Sequence, residues 1–173
     1  METNTDITCL RRLLGEDSSR LISGEVQLRN NLGDWMSKEQ SPLFKAIMDR
    51  YLDMTERHIR DLEQFCEDEQ LSSVHISNRV IKALMEELNE KLASCSCNEV
   101  KTACLLAGIQ SINHYKISAY GTAAAYAGAI RLEKAALFFH QAEHDEKIID
   151  EELSRLATRE INNKALTPVI IDE

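Results

Sequence analysis

Residues 41–69 read SPLFKAIMDRYLDMTERHIRDLEQFCEDE, and the fold follows from how this stretch begins and repeats. Ser41 followed by Pro42 is a helix start, because the serine oxygen can accept from free amides and proline gives up nothing at the first helical position. From there Phe44, Ile47, Tyr51, Met54, His58, Leu62 and Phe65 recur every three or four residues, which is one face of a long helix running to about Glu69. Upstream, the link at residues 38–40 is too short for anything but a hairpin, so the preceding helix, from about Arg20 to Ser37, is antiparallel to it. That helix has Leu21, Leu28, Leu32 and Trp35 on its apolar stripe, and Glu25 falls on the same stripe. Gly24 and Gly33 weaken it without ending it. Before it, Ile7 to Leu14 predicts a turn or two of helix that Gly15 and the polar Glu16, Asp17, Ser18 and Ser19 end or bend.

Downstream, residues 70–98 read as a crossover: Ser72, Ser73, Ser77 and Asn78 are turn signals, and a shorter amphipathic helix follows from Arg79 to Ala93. Asn98 is a cap candidate with Glu99 favoured by the helix dipole, and the third long helix continues to about Ala127, where Gly128 closes it. It is apolar on nearly every side. Its small residues, Gly121, Ala123, Ala124, Ala125 and Ala127, suit close approach, either in the centre of the fold or in a homodimer or higher homo-oligomer. The fourth helix, about Leu132 to Asn162, turns Phe139, Ala142, Ile149 and Leu153 inward, with Glu146 between them on the stripe. The tail from Thr167 to Glu173 is apolar at Val169, Ile170 and Ile171 and is expected to lie across the bundle.

Two antiparallel helix hairpins joined by one long connection is the connectivity of ferritin-like bundles. The fold class is therefore all-α, a ferritin-like four-helix bundle whose long crossover contains an extra short helix. With 173 residues, 43% of them hydrophobic, the chain supports a single domain over 1–173, with the bundle core at about 20–162.

Composition agrees with helices and excludes several partners. There are only two prolines, and no window alternates as a strand does. A formal net charge of -9 repels a phosphate backbone, so nucleic acid is not expected to be a partner. The polar, acidic start has no basic segment followed by an apolar one, and no stretch is apolar for long enough to span a bilayer, so no membrane association is expected and the location is cytoplasmic. Five cysteines, Cys9, Cys66, Cys95, Cys97 and Cys104, are an odd number that suits a reducing compartment rather than a disulfide framework.

A carboxylate on a core stripe costs several kcal/mol unless it is paired, protonated or bound to a cation. Glu25 and Glu146 therefore need partners. In di-iron and di-manganese bundles two helices each give a glutamate and the other two each give Glu-x-x-His. Glu25 and Glu146 suit the first role, but the residues three before the histidines are Thr55, Ser72, Ser111, Leu137 and Gln141. On the second helix Met54 and His58 hold the inward stripe, and on the third Asn113 and Lys116 stand among isoleucines. A methionine, an amide and an ammonium are poor partners for a hard metal.

Several segments resemble the YciE/YciF group of bacterial ferritin-like stress proteins, over about Leu14 to Ala165. They are GEVQL (24–28), TERHIRDLE (55–63), QSINHYKISAYGT (110–122), DEKIIDEELSRLA (145–157) and INNKA (161–165). The most specific is His114-Tyr115-x-Ile117-x-x-Tyr120-Gly121. The resemblance implies that Glu25 and the pair Asp145 and Glu146 hold the group's first- and fourth-helix acidic positions. It also implies glutamates at Asn113 and Lys116 and one near Met54, where this chain has departed.

The Lys116 ammonium is thus expected to stand where a metal would, neutralising Glu25 or Glu146 by a charge-assisted hydrogen bond, with His58 as a second donor. Two functional readings follow. The first is a non-enzymatic stress protein with no catalytic residue and no cofactor, whose former metal layer is a buried polar lock. The alternative is an iron- or manganese-binding oxidoreductase or iron-handling protein with a reduced or asymmetric site using Glu25, His58, His114 and Glu146. His140 and His144 are one turn apart but lack a third ligand, and are read as a solvated pair. Cys95 and Cys97 flank Ser96 just before the third helix, where its dipole can lower a thiol pKa.

Overall fold

A computed structural model describes residues 7–71 and 76–166. Among them the order is α1 (Leu10–Lys38), α2 (Pro42–Asp68), α3 (Arg79–Ser94), α4 (Asn98–Ala129), α5 (Glu133–Leu156), a π turn (Ala157–Ile161) and α6 (Asn162–Ala165). The chain is the expected all-α, ferritin-like bundle. α1 packs on α2 and α4, α5 packs on α4 and α2, and α3, the extra helix of the crossover, lies against α1 and α4. The expected apolar tail and the turn signals Ser72 and Ser73 lie outside the described residues. Among the described residues, no helix is long and apolar enough to cross a membrane.

The helix starts follow local chemistry. Ser41 Oγ accepts from the Phe44 amide at 3.3 Å, and the Asn78 side chain accepts from the Ile81 amide at 3.0 Å, each satisfying an orphan donor of a first turn. The α1–α2 link is held by the buried Glu39, whose Oε1 accepts from the Gln40 and Ser41 amides at 2.7 and 2.8 Å and from Thr102 Oγ1 at 2.9 Å. That contact fastens the first hairpin to α4.

Some boundaries differ from those read in the sequence. α1 runs unbroken through Gly15, because Leu14 and Leu21 are both buried and Ser18 and Ser19 hydroxyls bond back to the carbonyls of Leu14 and Gly15 at 2.7 and 3.0 Å. Tertiary burial overrides the weak local propensity. Cys97, not Asn98, is the residue preceding the first turn of α4, and the helix passes Gly128 to stop where Arg131 takes a left-handed φ of 61°. The fourth helix is interrupted near its end by the π turn, whose wider pitch keeps Leu156, Ala157 and Ile161 all buried.

α3 seats itself through two glycines. A Cβ on Gly24 of α1 would stand 2.5 Å from Ile81 Cδ1, and one on Gly108 of α4 would stand 2.4 Å from a Leu88 methyl. Only glycine admits the crossover helix this closely.

The apolar core is split into two clusters. One contains Leu28, Leu32, Ile109, Ile149 and Leu153, and the other Leu21, Leu62, Ala123, Phe139 and Ala142. Between them each helix of the bundle contributes buried polar residues at one depth: Glu25 of α1, His58 of α2, Asn113 and Lys116 of α4, and Glu146 of α5.

Candidate functional site

The polar layer is built from helical periodicity. Glu25 occupies the turn between the buried Leu21 and Leu28, His58 that between Met54 and Leu62, and Glu146 that between Ala142 and Ile149. Each side chain is therefore carried inward by its own helix, and Glu25, Lys116 and Glu146 are fully buried.

Lys116 is the centre of the layer. Its Nζ lies 2.8 Å from Glu25 Oε2 and 2.7 Å from Glu146 Oε1, bridging α1 and α5 from α4. The same ammonium is 3.3 Å from Tyr51 Oη and 4.6 Å from the centroid of the Tyr51 ring, which adds a cation–π contact in a desolvated setting. The remaining carboxylate oxygens have their own donors. Tyr120 Oη donates to Glu25 Oε1 at 2.6 Å, and Tyr51 Oη and Asn113 Nδ2 donate to Glu146 Oε2 at 3.0 and 2.7 Å. Asn113 Nδ2 also reaches the Glu146 carbonyl at 3.0 Å.

His58 closes the layer on the α2 side. Its Nδ1 stands 3.4 Å from both Glu25 Oε1 and Glu146 Oε1, and its Nε2 is 3.4 Å from Asp145 Oδ2. Asp145 is in turn paired with Arg57 at 2.6 Å near the surface. The ring lies edge-on to Tyr120, with centroids 5.2 Å apart.

Electrostatics follow from this enclosure. Burial works to lower the His58 pKa, but the hydrogen bonds to Glu146 and Glu25 and the Glu25 charge outweigh it and raise the value to about 9. Burial likewise opposes the Lys116 charge, and Glu146 and Glu25 together overcome it, holding the ammonium well above the ordinary lysine range. Burial would raise the Glu25 pKa, yet the Lys116 charge and His58 leave it below the usual value. Burial pushes both Tyr51 and Tyr120 well above the ordinary phenol range, reinforced at Tyr51 first by Glu146 and at Tyr120 first by Glu25, so each remains a donor. Two cations face two carboxyl groups in the enclosed layer.

Glu25, His58 and Glu146 each offer a ligand atom, all within 4.8 Å of one another, a spacing that a single metal ion would need. A dinuclear centre does not fit the residues present. The volume between the two carboxylates is occupied by the Lys116 ammonium at hydrogen-bond distance from both, Asn113 presents its amide nitrogen to Glu146, and Met54 packs in the apolar cluster. None of these three supplies an anionic oxygen.

The structure does not bring all the sequence-derived candidates together. His114 lies outside the layer, with its side chain 63% exposed and its Nε2 3.1 Å from Asp150 Oδ1, because it is two residues from Lys116 and so on the opposite face of α4. His140 is a surface residue 3.5 Å from Glu143. Tyr51 and Tyr120 do more than fill the core, since their hydroxyls bind the two buried carboxylates. Their partners sit 95 residues away in each case, a relation that no local spacing carries.

Comparison with known proteins places the chain in a family. Residues 20–166 match the family described as "Domain of unknown function (DUF892)". The chain is 31% identical over 148 residues to Protein YciF of Escherichia coli K12, covering 85% of this chain and 89% of that protein. The crystal structure of the E. coli stress protein YciF superposes with a TM-score of 0.85 at 28% identity, covering 90% of this chain and 99% of that one. A second solved structure, YcfI from Rhodopseudomonas palustris, has a TM-score of 0.83 at 21% identity over 89% of this chain and 98% of that one, a likeness of fold. The resemblance read from the sequence segments is borne out.

Proposed function

The chain belongs to the DUF892 family, and from that premise we propose that it is a ferritin-like bundle protein of stress physiology in which a lysine–carboxylate cluster replaces the dinuclear metal centre. It acts without catalysis, as one cytoplasmic domain that works through self-association or a partner protein. The observation that carries this reading is the placement of Lys116 Nζ at 2.8 and 2.7 Å from the buried Glu25 and Glu146 carboxylates. The stress role rests on the likeness to YciF, which is described as a stress protein.

In such a bundle the polar layer is a lock rather than a reaction centre. His58 and Lys116 hold their protons at neutral pH, and the tyrosines are donors to the carboxylates. No side chain in the layer is left as a free general base. Elemental analysis after anaerobic exposure to Fe(II) or Mn(II) and removal of excess metal tests the reading. The expected result is far below one metal per chain; close to two irons or manganeses per chain, with an oxo-bridged iron absorption band on admission of air, overturns it.

One observation favours a second reading. The three ligand atoms of Glu25, His58 and Glu146 within 4.8 Å would suit a single ion if Lys116 swung outward. A stoichiometry near one metal per chain in the same experiment would support that asymmetric site.

A further inference from the structure

Three cysteines surround the turn between α3 and α4: Cys95 directly follows α3, Cys97 directly precedes α4, and Cys104 lies within α4. The register of the two helices is fixed by Leu88, which packs where a Cβ on Gly108 would stand only 2.4 Å from its methyl. In an antiparallel pair, one turn further along α3 faces one turn back along α4, which sets Leu92 beside Cys104. Both are half-buried against the same apolar cluster. The Cys95 thiol folds back over the last turn of α3 and donates to the Lys91 carbonyl at 3.2 Å, which brings its sulfur to that same level. The Cys95 sulfur and the Cys104 side chain therefore stand at the same level of the α3–α4 pair.

We propose that Cys95 and Cys104 form a redox-active dithiol, which a hydroperoxide oxidises to an intramolecular disulfide joining α3 to α4. Cys95 and Cys104 are both partly exposed, whereas Cys66 is buried. Cys97 follows Cys95 by two residues, and both have extended dihedrals, which sets them about 6.6 Å apart, at the outer limit of disulfide reach. The better-placed neighbour of Cys95 is therefore Cys104.

The chemistry divides between the two sulfurs. The Cys95 thiolate attacks one peroxide oxygen, the O–O bond breaks, and the alkoxide leaves as an alcohol with the proton that Cys95 released. This makes Cys95 a sulfenic acid. The Cys104 sulfur then attacks the Cys95 sulfur; the S–S bond forms, the S–O bond breaks, and the hydroxyl leaves as water with the Cys104 proton. Two thiols lose two electrons, and the hydroperoxide is reduced to an alcohol and water. Burial, and after it the adjacent Cys95, raises the Cys104 pKa, so Cys104 stays a thiol while Cys95 reacts first, and it gives up its proton only as its sulfur attacks.

The full-length reduced chain is exposed to an equimolar amount of hydrogen peroxide, alkylated, and mapped by mass spectrometry without reductant. The expected product is a monomer carrying a Cys95–Cys104 crosslink, formed equally by Cys97→Ser. Cys104→Ser and Cys104→Ala are each expected to leave Cys95 as a sulfenic acid that dimedone labels several-fold more than in the unsubstituted chain. A Cys95–Cys97 crosslink, an intermolecular disulfide, or complete alkylation of both thiols after peroxide exposure would overturn the proposal.

Discussion

Lys116 is a charged side chain with no solvent contact, and its retention depends on partners that arrive from three other helices. Lys116→Met keeps the volume and removes the charge, leaving Glu25 and Glu146 facing each other across an apolar group. Stripping one member from a buried ionic cluster costs about 3–5 kcal/mol, so the thermal midpoint is expected to fall by about 10 °C. An unchanged melting curve would dissolve the lock. His58 makes a second claim at this scale. Its folded pKa, about 9, lies above its ordinary 6.5, so its contribution is complete below about pH 6.5 and disappears as the pH climbs through 9, about 3 kcal/mol in all. Urea unfolding at pH 6 and pH 9.5 should show this loss, and His58→Gln should flatten it. Glu25 has the opposite sign, its pKa being lowered, so its contribution is lost as the pH falls through that lowered value. Glu25 and Glu146 were legible because each interrupts an apolar stripe, and Lys116 because those carboxylates need a cation. His114 was not, since α4 is apolar nearly all round and gives no phase from which to tell an inward residue from an outward one.

At the scale of elements, Gly108 carries a sharp expectation. Gly108→Ala gains helix propensity of about 1 kcal/mol, but the new methyl meets both Leu88 methyls, at 2.4 and 2.6 Å, in a position where α3 is already packed. Overpacking of that kind costs about 1–3 kcal/mol, so chemical denaturation should show a net loss, reversed to a gain when Leu88→Ala makes room. The Ser41-Pro42 start was readable because cap and first turn lie within four residues of one another. The course of α1 through Gly15 was not, because what sustains it is the burial of Leu14 and Leu21, visible only after the chain has folded back. The start of α4 depended in the same way on the extended Cys95–Cys97 link rather than on the capping capacity of Asn98.

For the molecule as a whole, the departures from a metal-binding layer are few and localised, and they predict how the layer could be converted. Met54→Glu, Asn113→Glu and Lys116→Glu together place five carboxyl groups where the chain now holds two carboxyls and an ammonium. The substituted protein is expected to be less stable than the original in the absence of metal, through like-charge repulsion and desolvation. It should gain a melting temperature that rises with added Mn(II) or Fe(II), while the unsubstituted chain shows no such rise. Calorimetry with and without metal distinguishes these outcomes. The overall architecture was legible from helix count, link length and one long crossover. The ionic pairing across helices was legible only as a need for some cation, because which carboxylate meets which donor is set by packing between α1, α4 and α5.

Lys116 hangs from its own backbone by a four-carbon stem, so the positive charge between Glu25 and Glu146 is covalently tethered. A dissociable ion stabilises a protein to an extent that tracks its free concentration, and both starvation and chelators can withdraw it. A side-chain ammonium has a fixed local abundance that neither can touch. On the proposed reading, the cohesion of this bundle at its midsection is uncoupled from the supply of iron and manganese in its surroundings.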